Sequence, residues 1–176
     1  WSLDGRWILL TLTSPQQIKG DLWAVETSGD LKPVPILQTP FDETQAGFSP
    51  DGRWVVFVSD ESGQQEVNVL PFPGPGRKWQ ISTAGGFSPE WRRDGKEIFY
   101  LSPDLKLMSV EVIAQESSFE PGSPKTLFQL ASPVTGVQSI DVTADGEKFL
   151  VRKALETKSE PQLTLVVNWD EGPKKP

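Results

Sequence analysis

The chain has 176 residues, a hydrophobic fraction of 36% and a formal net charge of −7, with a pI near 4.7. An acidic surface repels phosphate and anionic lipid, which weighs against nucleic acid as a partner, and no apolar run approaches the ~18 residues of a membrane-inserted helix. There is no cysteine and no histidine, which removes disulfides, thiolate metal sites, Ser-His-Asp and Cys-His catalysis and most zinc or iron sites, so no cofactor is expected.

Four Asp-Gly pairs recur along the chain. Asp4, Asp51, Asp94 and Asp145, each followed by Gly, stand at intervals of 47, 43 and 51 residues. Three residues before each Asp comes a large apolar residue: Trp1, Phe48, Trp91 and Val142. In such a turn Asp bonds backbone two residues on and Gly takes a positive φ, while Ser2 and Ser49 assist through their hydroxyls.

The expected strands repeat around these turns in chain order. In a first unit, 1–40, the turn leads into Trp7–Leu10, followed by Asp21–Val25 and Val34–Leu37. A second, 41–83, carries Trp54–Phe57, Glu66–Leu70 and Trp79–Ser82. A third, 84–131, carries Ile98–Leu101, Lys106–Val112 and Thr126–Leu130; in Lys106–Val112, Leu107, Ser109 and Glu111 alternate with Met108, Val110 and Val112. A fourth, 132–170, carries Phe149–Val151 and Gln162–Val167, and 171–176 forms a tail. No window shows sustained helical periodicity. Four strands per unit at a period in the forties is the signature of β-propeller blades, so the expected fold is all-β, with about four four-stranded blades forming a partial propeller.

Trp1 stands three residues before Asp4, leaving the first blade almost without its innermost strand, and Asp170–Pro176 is too charged and Pro-rich to supply a strand. The expectation is an open arc that belongs to a larger ring or pairs with a second copy, two four-blade halves closing a ring of two-fold symmetry.

The stretch Phe48-Ser49-Pro50-Asp51-Gly52-Arg53-Trp54-Val55-Val56-Phe57 resembles the repeat motif of TolB-type propellers, also called WD-repeat-like or PD repeats. Gly85–Tyr100 is similar to blades in the C-terminal, extracytoplasmic half of certain bacterial membrane-anchored Ser/Thr kinases, and Leu165–Trp169 resembles the terminus of those chains. Leu3 and Ala144 replace the motif's Pro, and Val142 its aromatic, so the last blade matches least. The resemblance implies an extracytoplasmic or periplasmic setting. True WD repeats are set aside because the one Trp-Asp pair is Trp169-Asp170.

Candidate chemistry is sparse. Asp4, Asp51, Asp94 and Asp145, one per blade, read as turn residues rather than metal ligands. Asp42-Glu43 and Asp60-Glu61 read as solvated loop charge, with calcium as the alternative. Trp23, Trp79 and Trp91 read as wedges between blades rather than a stacking platform for sugar or peptide. Gly74-Pro75-Gly76 and Gly85-Gly86 lack the helix and Lys-Ser/Thr that a phosphate loop needs, and kinase signatures are missing. No residue is assigned to catalysis, cofactor or metal, and no convergent cluster of polar residues marks a ligand site. Two functions remain: a non-catalytic module binding a protein or small ligand, as the sensor part of a receptor-like kinase, or a His-independent lyase or glycosidase working through paired carboxylates.

Overall fold

The computed structural model describes residues 1–14, 17–74, 76–115, 118–130 and 137–153. Every regular element among them is a strand, arranged as four antiparallel sheets in chain order. The first holds β1 (Trp7–Ser14), β2 (Gln17–Glu26) and β3 (Pro33–Leu37). The second holds β4 (Glu43–Phe48), β5 (Trp54–Ser59), β6 (Glu66–Pro71) and β7 (Trp79–Gln80), hydrogen-bonded in that order. The third runs β8 (Phe87–Trp91), β9 (Glu97–Leu101) and β10 (Lys106–Ala114); one part of β10 then pairs with β11 (Phe119–Pro121) and another with β12 (Lys125–Gln129). The fourth pairs β13 (Val137–Val142) with β14 (Phe149–Lys153). Each sheet is a propeller blade built as a meander. The strand expected at Gln162–Val167, and Leu165–Trp169, lie outside the described residues.

The Asp-Gly turns form as their chemistry dictates. Gly5, Gly52, Gly95 and Gly146 have φ of 73°, 71°, 72° and 76°. Their N–H groups donate to the carbonyls of Ser2, Ser49, Arg92 and Thr143 at 2.8–2.9 Å. Each Asp carboxylate accepts the N–H two residues on: Arg6 and Arg53 at 3.0 Å, Lys96 at 3.1 Å, Glu147 at 3.0 Å. The Ser2 and Ser49 hydroxyls donate to Asp4 and Asp51 at 2.6 Å while accepting from Trp7 and Trp54 N–H. The hydroxyl bond from Ser2, and then the Arg6 N–H, hold the Asp4 carboxyl below the usual range. Asp145 is lowered likewise by Thr143 and the Glu147 N–H.

A related turn, one residue shorter, joins β9 to β10 through Ser102-Pro103-Asp104-Leu105-Lys106. Ser102 Oγ donates to Asp104 at 2.5 Å and accepts from Lys106 N–H at 3.0 Å, and Leu105 takes the glycine's place at φ 61°. The Asp-Gly signature hides this copy because its glycine is gone. No atom outside the local chain lies within 4 Å of a Cβ added at Gly52, so only backbone strain opposes substitution there. Gly52→Val is expected to lower stability by ~2 kcal/mol and Gly52→Asn by far less, since Asn tolerates the left-handed region. Urea melts of the two variants check this.

Between blades the sheets pack face to face. Leu22, Val55, Phe57 and Leu70 bury with Leu9 and Phe48 between the first and second blades. Trp54, Val56, Val58, Val67, Val69, Ile98 and Tyr100 bury between the second and third. Phe99, Leu101, Leu107 and Ile140 bury with Phe149 and Val151 between the third and fourth. Alternation in β10 is as the pattern requires, with Val110 and Val112 toward the second blade and Leu107 toward the fourth. β11, which no sequence pattern announces, delivers Phe119 (3% exposed) between Trp54, Trp79 and Trp91, with ring centroids 5.0, 5.5 and 6.3 Å away.

Candidate functional site: a cleft on the innermost strands

β4, β8 and β13 each form the first strand of their sheet and lie side by side, β4 against β8 and β8 against β13. They form the channel side of the arc. Each carries a bulge: the ladder slips between Thr44 and Gly47, between Phe87 and Glu90, and between Val137 and Ser139. Gln45 and Ser88, three residues before Phe48 and Trp91, both sit at φ 52°. A bulge turns a side chain out of the alternating pattern, and here it reaches the next blade. Gln45 Oε1 accepts from Ser88 N–H at 2.5 Å, and Ser88 Oγ accepts from Ile140 N–H at 2.8 Å. The same repeat position thus ties consecutive innermost strands together.

These strands line a cleft of about 430 Å³, with Gln45, Ser88, Glu90, Trp91, Ser139 and Asp141 among its walls and Trp1 and Arg93 contributing as well. Burial, and then the charge of Asp141, push the Glu90 carboxyl up to about 7. Glu90 has no ion-pair partner among the described residues. Trp91 is 8% exposed, and its indole N–H has no protein partner. Two carboxyls, one of them pushed toward neutrality, therefore line the same cleft beside the Trp91 ring. The sequence showed no such convergence: Glu90 stands inside the repeat motif, and Asp141 is 51 residues away on the next blade. The expectation that no polar residues converge is therefore corrected: Glu90, Asp141, Gln45 and Ser88 line one cleft.

The raised pKa has a stability consequence. Between the ordinary value of 4.5 and about 7, Glu90 holds its proton in the folded chain and loses it in the unfolded one. Its contribution therefore lowers stability as pH rises through that window. Glu90→Gln is expected to melt like the wild type at pH 4.5 and to be more stable by ~2–3 kcal/mol at pH 8. Urea midpoints at the two pH values check the sign.

The acidic pairs are placed otherwise than expected. Asp42 accepts Gly20 N–H at 2.7 Å, and Asp60 accepts Asp42 N–H at 2.8 Å, so both stitch the linker between the first two blades. Glu43 is 1% exposed; it accepts from the Thr39 and Ser59 hydroxyls at 2.6 and 3.3 Å, and burial raises its pKa against those bonds. Only Glu61 is exposed, paired with Lys78. The solvated reading fails for the other three because strands distant in sequence close over them. No group of three His, Cys, Asp or Glu side chains among the described residues could hold a metal ion.

Trp79 and Trp91 pack in the core between blades, as wedges. Trp23 is half-buried and belongs to none of the three clusters. The Gly85 N–H donates to Glu66 at 2.9 Å and the Gly86 N–H to the Gln65 carbonyl at 2.8 Å, leaving no backbone donor there for phosphate. Pro75 of the other glycine segment lies outside the described residues.

The blades, their meander order and the channel-side cleft define a β-propeller sector. The fold resembles that of TolB-type propellers. The chain is similar to a structure assigned as TolB from Agrobacterium tumefaciens (TM-score 0.59, 21% identity, over 73% of this chain and 47% of that one). It is similar also to TolB from Acinetobacter baumannii (TM-score 0.61, 16% identity, over 85% and 35%) and to an oligogalacturonate lyase from Vibrio parahaemolyticus (TM-score 0.51, 15% identity, over 81% and 34%). In sequence it is 26% identical over 107 residues to an uncharacterized protein of Agrobacterium fabrum, covering 58% of this chain and 36% of that protein. The chain therefore spans about a third to a half of the length of these four proteins. No protein-family profile matches it.

Proposed function

We infer that the chain is a non-catalytic binding module whose ligand, a protein segment or small molecule bearing a cationic group, seats in the cleft on β4, β8 and β13. The observation that supports this reading is that Glu90 and Asp141 line one cleft with a single arginine, Arg93, and neither carboxyl is ion-paired among the described residues. An amine or guanidinium would supply the balancing positive charge. The finer placement, as the extracytoplasmic or periplasmic sensor part of a bacterial receptor-like Ser/Thr kinase, rests on the resemblance of Gly85–Tyr100 to such blades.

The test uses short Lys- or Arg-containing peptides, with Glu-containing versions as controls, titrated by tryptophan fluorescence. At pH 8 the cationic peptides bind and the acidic ones do not; at pH 6, with Glu90 largely protonated, affinity falls several-fold. Glu90→Gln at pH 8 weakens binding about tenfold, the loss of one charge-assisted bond. Equal affinity for both peptide classes, or none for either, rejects the assignment.

The same carboxyl pair also favours the second reading. A carboxyl titrating near 7 beside another carboxylate is the arrangement of a glycosidase acid and its partner. Neutral aryl glycosides are the discriminating substrates, because a cleft with two carboxylates repels polyuronates. Turnover that disappears in Glu90→Gln would make the chain an enzyme.

A further inference from the structure

Among the described glycines, Gly47 is the one that the fold does not ask for. The others either hold a positive φ or, as at Gly20, Gly76, Gly86 and Gly122, leave too little room for a Cβ. Gly47 is not at positive φ, and a Cβ added there would touch a single atom beyond its chain neighbours, Val56 Cγ1 at 3.7 Å, an ordinary van der Waals contact. The bulge does not demand glycine either. Its positive φ falls on Gln45, and Glu90 holds the corresponding place after the bulge in β8. Glycine inside a strand weakens it and suits a place where a ligand comes close to the backbone.

Gly47, Glu90 and Asp141 each stand one residue before the large apolar residue that precedes their turn, and all three line the cleft. Across the ladder they pair with Val56, Phe99 and Leu150, the fourth residue after each turn glycine. The place therefore carries a carboxyl on the third and fourth blades and no side chain on the second. Its surroundings there are apolar: Ala46, Val56 and Trp91 line the cleft with Gly47, and Val56 and Trp91 share the core between the second and third blades. Both of these blades have a described neighbour on either side, so the walls at this end come from interior sheets.

Resting on the assignment of the cleft to a cationic ligand, we propose that Gly47 determines its specificity. It leaves an apolar recess between the second and third blades, and the ligand is an amphiphilic cation. The ammonium or guanidinium lies at Glu90 and Asp141, and a short branched alkyl arm lies over Gly47. A bare cation leaves the recess to water, and a neutral apolar molecule leaves the carboxyls unbalanced.

Amide NMR titrations at pH 8 with methylamine, isoamylamine and isoamyl alcohol test this. Isoamylamine binds about tenfold tighter than methylamine, through burial of its arm, and about tenfold tighter than the alcohol, which lacks the charge. Gly47→Val, whose β-branched side chain suits a strand, fills the recess: isoamylamine falls to the level of methylamine, while methylamine stays within about twofold. Gly47→Ala, whose added carbon touches only Val56, acts in the same direction to a smaller extent. Both variants melt at or above the wild-type temperature, since neither is strained and each stiffens the unfolded chain. Equal affinities of the two amines for the wild type, or equal loss of both in Gly47→Val, overturn the role of Gly47 and leave the cationic assignment standing. An alcohol as tight as isoamylamine, and lost in Gly47→Val, overturns the cationic assignment and leaves the recess. Binding of none of the three overturns both, and a Gly47→Ala protein that melts below the wild type would assign the glycine to the fold instead.

Discussion

Glu66→Ala is expected to lower stability by ~3 kcal/mol, more than any other single carboxylate in the described chain. Glu66 opens β6 at 2% exposure and works as a clasp between two blades. One oxygen accepts Gly85 N–H at 2.9 Å and the Gln64 amide at 2.6 Å; the other accepts the Ser82 hydroxyl, which itself accepts Val67 N–H at 2.8 Å. Removing the carboxylate leaves the Gly85 N–H and the Ser82 hydroxyl buried without a partner, and each such group costs ~1–3 kcal/mol. Glu66→Gln retains an acceptor for Gly85 and should recover about half of the loss. Urea denaturation with an unchanged m-value is the measurement; a Glu66→Ala protein within 1 kcal/mol of the wild type would show that the linker closes without its clasp.

Phe57→Ala should cost ~3–5 kcal/mol, the range for emptying a closed aromatic site. Phe57 is 0% exposed, wedged with Leu22, Val55 and Leu70 between the first two blades. Leu10 occupies the same repeat position one blade earlier, where no described sheet covers it. Leu10 is half-buried rather than closed in, so Leu10→Ala is expected to cost less than Phe57→Ala, ~1–2 kcal/mol. Equal costs would mean that the first blade is covered after all.

Most of the scaffold was legible because its information is local. A turn needs Asp and Gly at adjacent positions, a strand needs alternation over a handful of residues, and both are written side by side in the chain. The copies that lost a marker were not legible: Leu105 fills a glycine's place, so Ser102–Lys106 escaped notice although its Ser-to-Asp bond and positive φ repeat those of Ser49–Gly52 in a turn one residue shorter. β11 is too short to show a period, and its purpose, placing Phe119 among three tryptophans, exists only in three dimensions. The charged residues misled for a related reason. Glu43, Asp60 and Asp42 look like loop charge because nothing adjacent in sequence covers them; β2, β5 and the linker at Thr39 do so from a distance. Glu90 and Asp141 meet only because consecutive blades bring their innermost strands together.

The bulge bonds run one way round the arc. Gln45 of the second blade holds an amide of the third, and Ser88 of the third holds an amide of the fourth. Each blade thus borrows protection for one innermost amide from the blade before it. In hydrogen-exchange terms, local opening of the second blade frees the Ser88 amide and opening of the third frees that of Ile140. Opening of the fourth frees neither Ser88 nor any amide of the third blade through this contact. The bond itself is lost whichever blade opens, so the coupling is mutual; only the exchange readout has a direction, since the reporting amide always lies on the later blade.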